Sequence, residues 1–304
     1  MKEGCSQHGA ALQVSLVVCT CDRAPALRRC LENIGALQFD PRAWELIVVD
    51  NGSNDDTAGL LRDFGARAAF RVEVLHETRR GKSNALNRGI AAASAPIVAF
   101  TDDDCYVEPD FLAQIVSAFE SGEYGFIGGR VLLHDPGDAP VTIKEEMDIE
   151  RFPAGTCLAP GAIHGANMAV RRDAWRAVGG FDPLLGPGGR LVAEEVDFLT
   201  RISFAGWNGA YLPGPTVRHH HGRKPGPGLV AVTSRYARGS GAYYIKGCLG
   251  RSTRPLFARH WYWLVLTLAR HRRFHDLLDV VGGSTEYVWR RMVGRFAARR
   301  DACC

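Results

Sequence analysis

Three carboxylates in a row, Asp102-Asp103-Asp104, follow the apolar run Ala95-Pro96-Ile97-Val98-Ala99-Phe100. Such a run reads as a buried strand of a parallel sheet. Adjacent carboxylates repel, so an opposite charge must sit beside them. A divalent cation that prefers hard oxygen ligands, Mg2+ or Mn2+, meets that need. Asp50 closes a second apolar run, and Lys82 follows Gly81 at the head of a helical pattern. An ammonium near a helix N-terminus suits a phosphate. Glu194, Glu195 and Asp197 open another helical pattern, and His219-His220-His221 follow the short run Thr216-Val217. A positioned carboxylate can take a proton, and imidazole can ligate Mn2+. Anion binding, cation binding and proton abstraction are thus all represented.

These groups need a scaffold that turns them to one place. Residues 14–19, 45–50, 71–75 and 96–101 read as strands. Residues 24–34, a segment carrying Leu60, Leu61 and Phe64, and residues 83–93 read as the helices between them. Short βα repeats of this kind specify a doubly wound sheet with right-handed crossovers. Ligands in such sheets bind beyond the carboxyl ends of the strands. The strand ends carry Thr20-Cys21-Asp22-Arg23, then Asp50-Asn51-Gly52-Ser53, then residues 76–82, then the Asp triplet. That is a nucleotide-sized set of contacts. Further on, residues 125–133 and 167–170 read as strands, and 172–178 and 194–205 as helices. A short helix is expected around 144–150, and two short strands at 211–212 and 216–217. From about residue 229 the pattern is helical.

No Gly-x-Gly-x-x-Gly follows the first strand and no Gly-x-x-x-x-Gly-Lys-Ser/Thr occurs, which argues against a dinucleotide site and a P-loop. The 304 residues are 46% hydrophobic and 23% charged, an ordinary globular balance. Nine cysteines without a Cys-x-x-Cys pair argue for reduced thiols and against structural zinc. Cys303 and Cys304 read as a frayed end. No apolar run reaches the length of a membrane span, so a cytoplasmic protein is expected. Charge is uneven: residues 251–304 carry eleven Arg against four acids, while the whole chain is +4. With the aromatic run at 260–263 this suggests contact with a membrane surface through 251–304, at the cytoplasmic face. Nucleic acid is not expected as a partner.

The ordered motifs resemble the family 2 glycosyltransferases, inverting nucleotide-sugar enzymes of the GT-A fold. The resemblance rests on Val17–Arg23, Ile47–Thr57, Gly81–Gly89, the Asp triplet, Gly165–Arg172, Gly179-Gly180-Phe181-Asp182 and Glu194–Arg201. It covers residues 12–222, with a nucleotide-binding half at 12–104 and an acceptor half at 105–222. Residues 223–304 would be a helical C-terminal extension. The resemblance implies transfer of a sugar from a nucleotide sugar, UDP-linked by preference, to an acceptor hydroxyl. Thr20, Asp22, Arg23, Asp50, Lys82, Asp102 and Asp103 would bind the donor. Asp104, with Asp102, would hold Mn2+ or Mg2+, helped by His221 or, next in preference, His219. Glu195 would be the catalytic base, with Glu194 as its rival and Asp197 in support; the family has Asp where this chain has Glu195. Gly165, Ala166 and Asn167 would line the acceptor side. A nucleotidyltransferase, or an inactive carbohydrate- or partner-binding scaffold, is the alternative reading.

Overall fold

The computed structural model describes residues 11–301, with side chains as far as Gly294. Cys303 and Cys304 lie outside the described residues. Strands β1 (Val14–Thr20), β2 (Trp44–Asp50), β3 (Arg71–His76) and β4 (Ile97–Asp102) pair in parallel in the order β3-β2-β1-β4. The register sets Thr20 beside Asp50, Asp50 beside His76 and Cys19 beside Asp102. The polar strand ends therefore open on one edge of the sheet.

Helices α1 (Ala24–Ile34), α2 (Thr57–Gly65) and α3 (Lys82–Ala92) make the crossovers. Alternation along the strands feeds two cores. Val14, Leu16 and Val18 pack with Leu27, Leu31, Leu60 and Leu61 of α1 and α2. Val17, Ile47 and Val49 pack with Ala85, Leu86 and Ile90 of α3 on the other face. Helix α3 lies close to the sheet because Gly89 has no side chain there. A Cβ at Gly89 would come within 2.5 Å of Val17 Cγ1.

The chain continues through β5 (Cys105–Val107), α4 (Phe111–Ser121), β6 (Tyr124–Leu133), β7 (Glu150–Phe152), β8 (Met168–Arg171), α5 (Arg172–Val178), α6 (Glu194–Phe204) and β9 (Asn208–His219). β8 runs antiparallel between β4 and β6, β9 runs parallel to β6, and β5 and β7 both pair antiparallel with β9. The result is the mixed α/β sheet with flanking helices that the resemblance implied.

Three local expectations differ. Helix α4 was not anticipated, although Phe111, Leu112, Ile115, Val116 and Phe119 bury one face at helical spacing. No helix forms at 144–150. Lys144 exchanges backbone hydrogen bonds with Val131 at 2.8 and 2.9 Å, and Glu150 starts β7. The two short strands at 211–212 and 216–217 are one strand, β9, whose pairing with β6 shifts register between Gly128 and Arg130. The irregularity falls opposite Pro213 and Pro215, which have no N–H to give to a ladder.

Helices α7 (Gly228–Cys248), α8 (Arg254–Arg270) and α9 (Phe274–Asp301) complete the described chain. Tyr243, Tyr244 and Phe257 join the same core as α3 and α6. α7 and α9 touch backbone to backbone: a Cβ at Gly241 would meet Val280 O, and one at Gly283 would meet Arg238 O, each within 2.0 Å. Lys246 of α7 pairs with Asp182 and with Asp197 of α6, both at 2.8 Å, and Tyr287 of α9 donates to Asp182 at 2.8 Å. No helix among the described residues is long and apolar enough to cross a membrane.

Candidate active site

The strand ends, the first turns of α3 and α6, and one side of α7 enclose a cavity of about 510 Å³. Its floor is the Asp triplet. Burial fixes the roles of those three residues differently. Asp103 is buried, accepts from Thr20 Oγ1 at 2.7 Å and pairs with Arg23 at 2.9 Å. Burial pushes its carboxyl up to about 6, against the pull of Arg23. It thus ties the end of β1 to the turn that follows β4. Asp104 pairs with Arg23 at 2.8 Å through one oxygen and lies 3.3 Å from His219 Nε2 through the other. Burial alone would raise its carboxyl, but the hydrogen bond and charge of His219, then Arg23, hold it well below the ordinary range. Asp102 receives the ammonium of Lys82.

Lys82 is placed by a glycine turn. Gly81 has φ +117, a backbone conformation that glycine adopts freely and other residues rarely do. Gly81 N donates to Asn51 Oδ1 at 2.9 Å, and Lys82 N donates to Pro187 O at 3.0 Å. Burial works to lower the Lys82 ammonium, but Asp102 and then Glu194 raise it above its ordinary value. It stays charged at the start of α3, facing the cavity.

Helix α6 delivers Glu194 and Glu195 from its first turn, where carboxylates favour the macrodipole. Both line the cavity, and each keeps Oε2 buried without a hydrogen-bond partner among the described residues. Burial, and then the charge of Glu194, push the Glu195 carboxyl up; burial raises Glu194 as well, opposed by Lys82. A raised carboxyl beside an open cavity suits a general base. The neighbouring surface comes from Gly165 and Ala166, and a Cβ on Gly165 would stand 3.7 Å from Glu195 Cβ.

Several expected site residues lie elsewhere. Asp197 does not reach the cavity. Two residues beyond Glu195 is about 200° around the helix, and the side chain turns to Arg201 at 3.0 Å and Lys246 at 2.8 Å. Asn167 turns away as well and donates to Arg130 O and Pro215 O at 2.8 and 3.0 Å. Asp22 and Asp50 brace the loops at the rim: Asp22 accepts from Asn54 N at 2.6 Å and Asp50 from Ser53 N at 2.8 Å. His219 rather than His221 stands beside Asp104. His221 is buried behind it, with ring centroids 4.9 Å apart and its Nδ1 3.6 Å from Asp138.

Other lining residues were not singled out from the sequence. Tyr236 comes from α7, fifteen positions beyond the histidine triplet, and nothing local marks it. His164, one residue before Gly165, belongs to the segment 161–167 expected on the acceptor side; burial lowers its imidazole to about 4, so it is neutral.

Asp104, Cys105 and His219 place one donor atom each within 4.8 Å of one another. A carboxylate held ionised and an imidazole nitrogen are donors that fit a divalent ion such as Mn2+. The residues present therefore fit a metal.

The family description "Glycosyl transferase family 2" matches residues 15–177, and "Glycosyl transferase family group 2" matches residues 97–293. The glycosyltransferase AglE of Haloferax volcanii is 27% identical over 196 residues, 64% of this chain and 62% of that protein. The pre-mycofactocin glycosyltransferase of Mycobacterium tuberculosis is 29% identical over 221 residues, 68% of this chain and 43% of that protein. The chain thus spans about three-fifths or less of these curated relatives. Among solved structures, the mannosyltransferase PcManGT from Pyrobaculum calidifontis, in complex with GDP-Man and Mn2+, superposes with a TM-score of 0.65 at 21% identity, covering 92% of this chain and 88% of its own. TarS of S. aureus superposes at 0.62 with 12% identity, covering 91% and 72%. At these identities the likeness is one of fold.

Proposed function

The chain belongs to glycosyl transferase family 2, and from that premise we propose that it moves one sugar from a nucleotide sugar to an acceptor hydroxyl with inversion. The observation that carries the reading is Glu195. Its proton-avid carboxyl, with Oε2 buried and without a hydrogen-bond partner among the described residues, faces the cavity that also holds Asp102, Asp104, Lys82 and His219. Glu195 accepts the proton of the acceptor hydroxyl as that oxygen bonds the anomeric carbon. The bond from that carbon to the diphosphate oxygen breaks, and a nucleoside diphosphate leaves. Glu194 stands beside the base and keeps its carboxyl raised by charge. Gly165 and Ala166 leave room for the acceptor next to Glu195.

Thr20, Arg23, Lys82, Asp102 and Asp103 are the donor side, with Asp22 and Asp50 shaping its rim. Lys82 meets the diphosphate from the N-terminus of α3, where backbone N–H groups add to its charge. Asp104 and His219 would hold Mn2+ or Mg2+, which supplies positive charge against the leaving diphosphate. We favour a UDP-linked donor. The complexes of PcManGT with GDP-Man and of TarS with UDP-GlcNAc support a nucleotide sugar in this fold. The free cysteines among the described residues fit work in the reducing cytoplasm.

A thermal-shift panel of UDP-, GDP- and dTDP-sugars with and without Mn2+ tests this directly. A ligand that binds the native state raises its apparent stability, by about 3 kcal/mol at a hundredfold excess over Kd. One donor class should stand out, and more so with Mn2+. No shift with any nucleotide sugar would remove the proposal.

A further inference from the structure

Helix α9 is apolar on two sides. Gly283, Ser284 and Tyr287 turn inward against α7 and the catalytic domain. On the opposite side Phe274, Leu278, Val281, Trp289 and Met292 stand in solvent, Leu278 at 72% and Trp289 at 65% exposure. At 100° per residue these five fall within an arc of about 80°. An apolar stripe of this length on a helix marks a contact surface. Helix α8 adds an exposed aromatic pair, Tyr262 and Trp263.

The charge around the stripe selects the occupant. Arg259, Arg270 and Arg272 are exposed and make no ion pair among the described residues. The acids of the two helices whose side chains are described are already engaged. Asp276 pairs with Arg273 at 2.6 Å, Asp279 with Arg238 at 3.7 Å, and Glu286 with Arg290 at 2.6 Å. What faces outward is therefore apolar and cationic. A second copy would be a poor cover. In parallel pairing along the stripe the arginine-rich turn at 270–273 of one copy meets the same turn of the other. Like charges brought together oppose that arrangement. An anionic lipid surface complements both features, with the helix lying in the interface plane and aromatic residues at headgroup depth.

We propose that the outward face of α9, with the exposed arginines of α8 and the α8–α9 turn, docks the protein on an anionic membrane surface. This surface is independent of the transfer chemistry, so the two readings fail separately. The sequence pointed to 260–263 in α8. The structure shifts the weight to α9, because Trp261 and Leu264 pack inward against the core.

The test is flotation of the full chain with phosphatidylcholine vesicles, with and without phosphatidylglycerol. The protein should float with the phosphatidylglycerol vesicles and stay below with phosphatidylcholine alone. Each of Arg270→Gln and Arg272→Gln should weaken binding about fivefold. The pair Leu278→Glu and Trp289→Glu should abolish it while leaving nucleotide-sugar binding, read by thermal shift, unchanged. These positions are exposed, so the fold tolerates them. Failure to float, equal flotation with both vesicle types, or a dimer in solution that the same pair of substitutions splits would each overturn the proposal, the last in favour of a second copy.

Discussion

Replacing Glu195 by Gln should make the protein more stable and inactive at once. The buried Glu195 carboxyl is raised from its ordinary 4.5 to about 8, by burial first and Glu194 second. A carboxyl raised in the folded state holds its proton there while the unfolded chain gives it up. Stability is therefore complete below about pH 4.5 and is lost as pH rises through about 8. Each unit of displacement is worth about 1.4 kcal/mol, so near neutrality the wild type has lost on the order of 3 kcal/mol. Gln keeps the shape without the charge. Urea unfolding across pH should show Glu195→Gln level with the wild type near pH 4.5 and about 2–3 kcal/mol more stable near pH 7. Transfer should fall by roughly 10²–10⁴, the usual worth of a positioned base. The same linkage gives the wild type a rate that climbs with pH toward the Glu195 value. A variant less stable than the wild type at neutral pH, or one that keeps full turnover, would refute the reasoning.

Two further outcomes follow from the geometry. His219→Ala should weaken Mn2+ binding by calorimetry at least about tenfold, and more than His221→Ala does, because only His219 stands beside Asp104; equal losses would reverse the assignment. Lys246→Met removes the cation between Asp182 and Asp197. Asp182 keeps Tyr287 and Asp197 keeps Arg201, so the loss should be about 2 kcal/mol rather than the larger cost of a stranded buried charge. An unchanged unfolding midpoint would show that the pair contributes nothing.

The βα half was legible because each step is local. Apolar runs of strand length end in polar residues, and parallel crossovers send those ends to one edge whatever lies between them. The choice between His219 and His221 was not legible, for a physical reason. Alternation continued past the end of β9 at His219 puts both on one side. Which of them meets Asp104 depends on the register of β9 against β5, where Cys105 stands beside His219. That pairing joins residues more than a hundred positions apart. Tyr236 was invisible for the same reason. Asp197 was a different kind of error, since helical geometry alone already turned it away from Glu195.

Helix α6 shows why the C-terminal helices belong in any account of the cleft. Its first turn carries two raised carboxyls into a cavity, an arrangement that by itself disfavours folding. Its opposite face is held by Lys246 of α7 on Asp197 and by the Tyr243 hydroxyl 2.9 Å from Thr200 Oγ1, while Phe198 and Leu199 anchor the helix in the core. Helix α9 in turn fixes Asp182, the other partner of Lys246, through Tyr287. The base is thus positioned from behind by the segment whose outer face is apolar. Deleting residues 251–304 would remove Phe257 from the core and Tyr287 from Asp182. Lost membrane binding in that truncation would report misfolding as readily as a missing surface. Substitutions confined to Leu278 and Trp289, which touch neither anchor, separate the two.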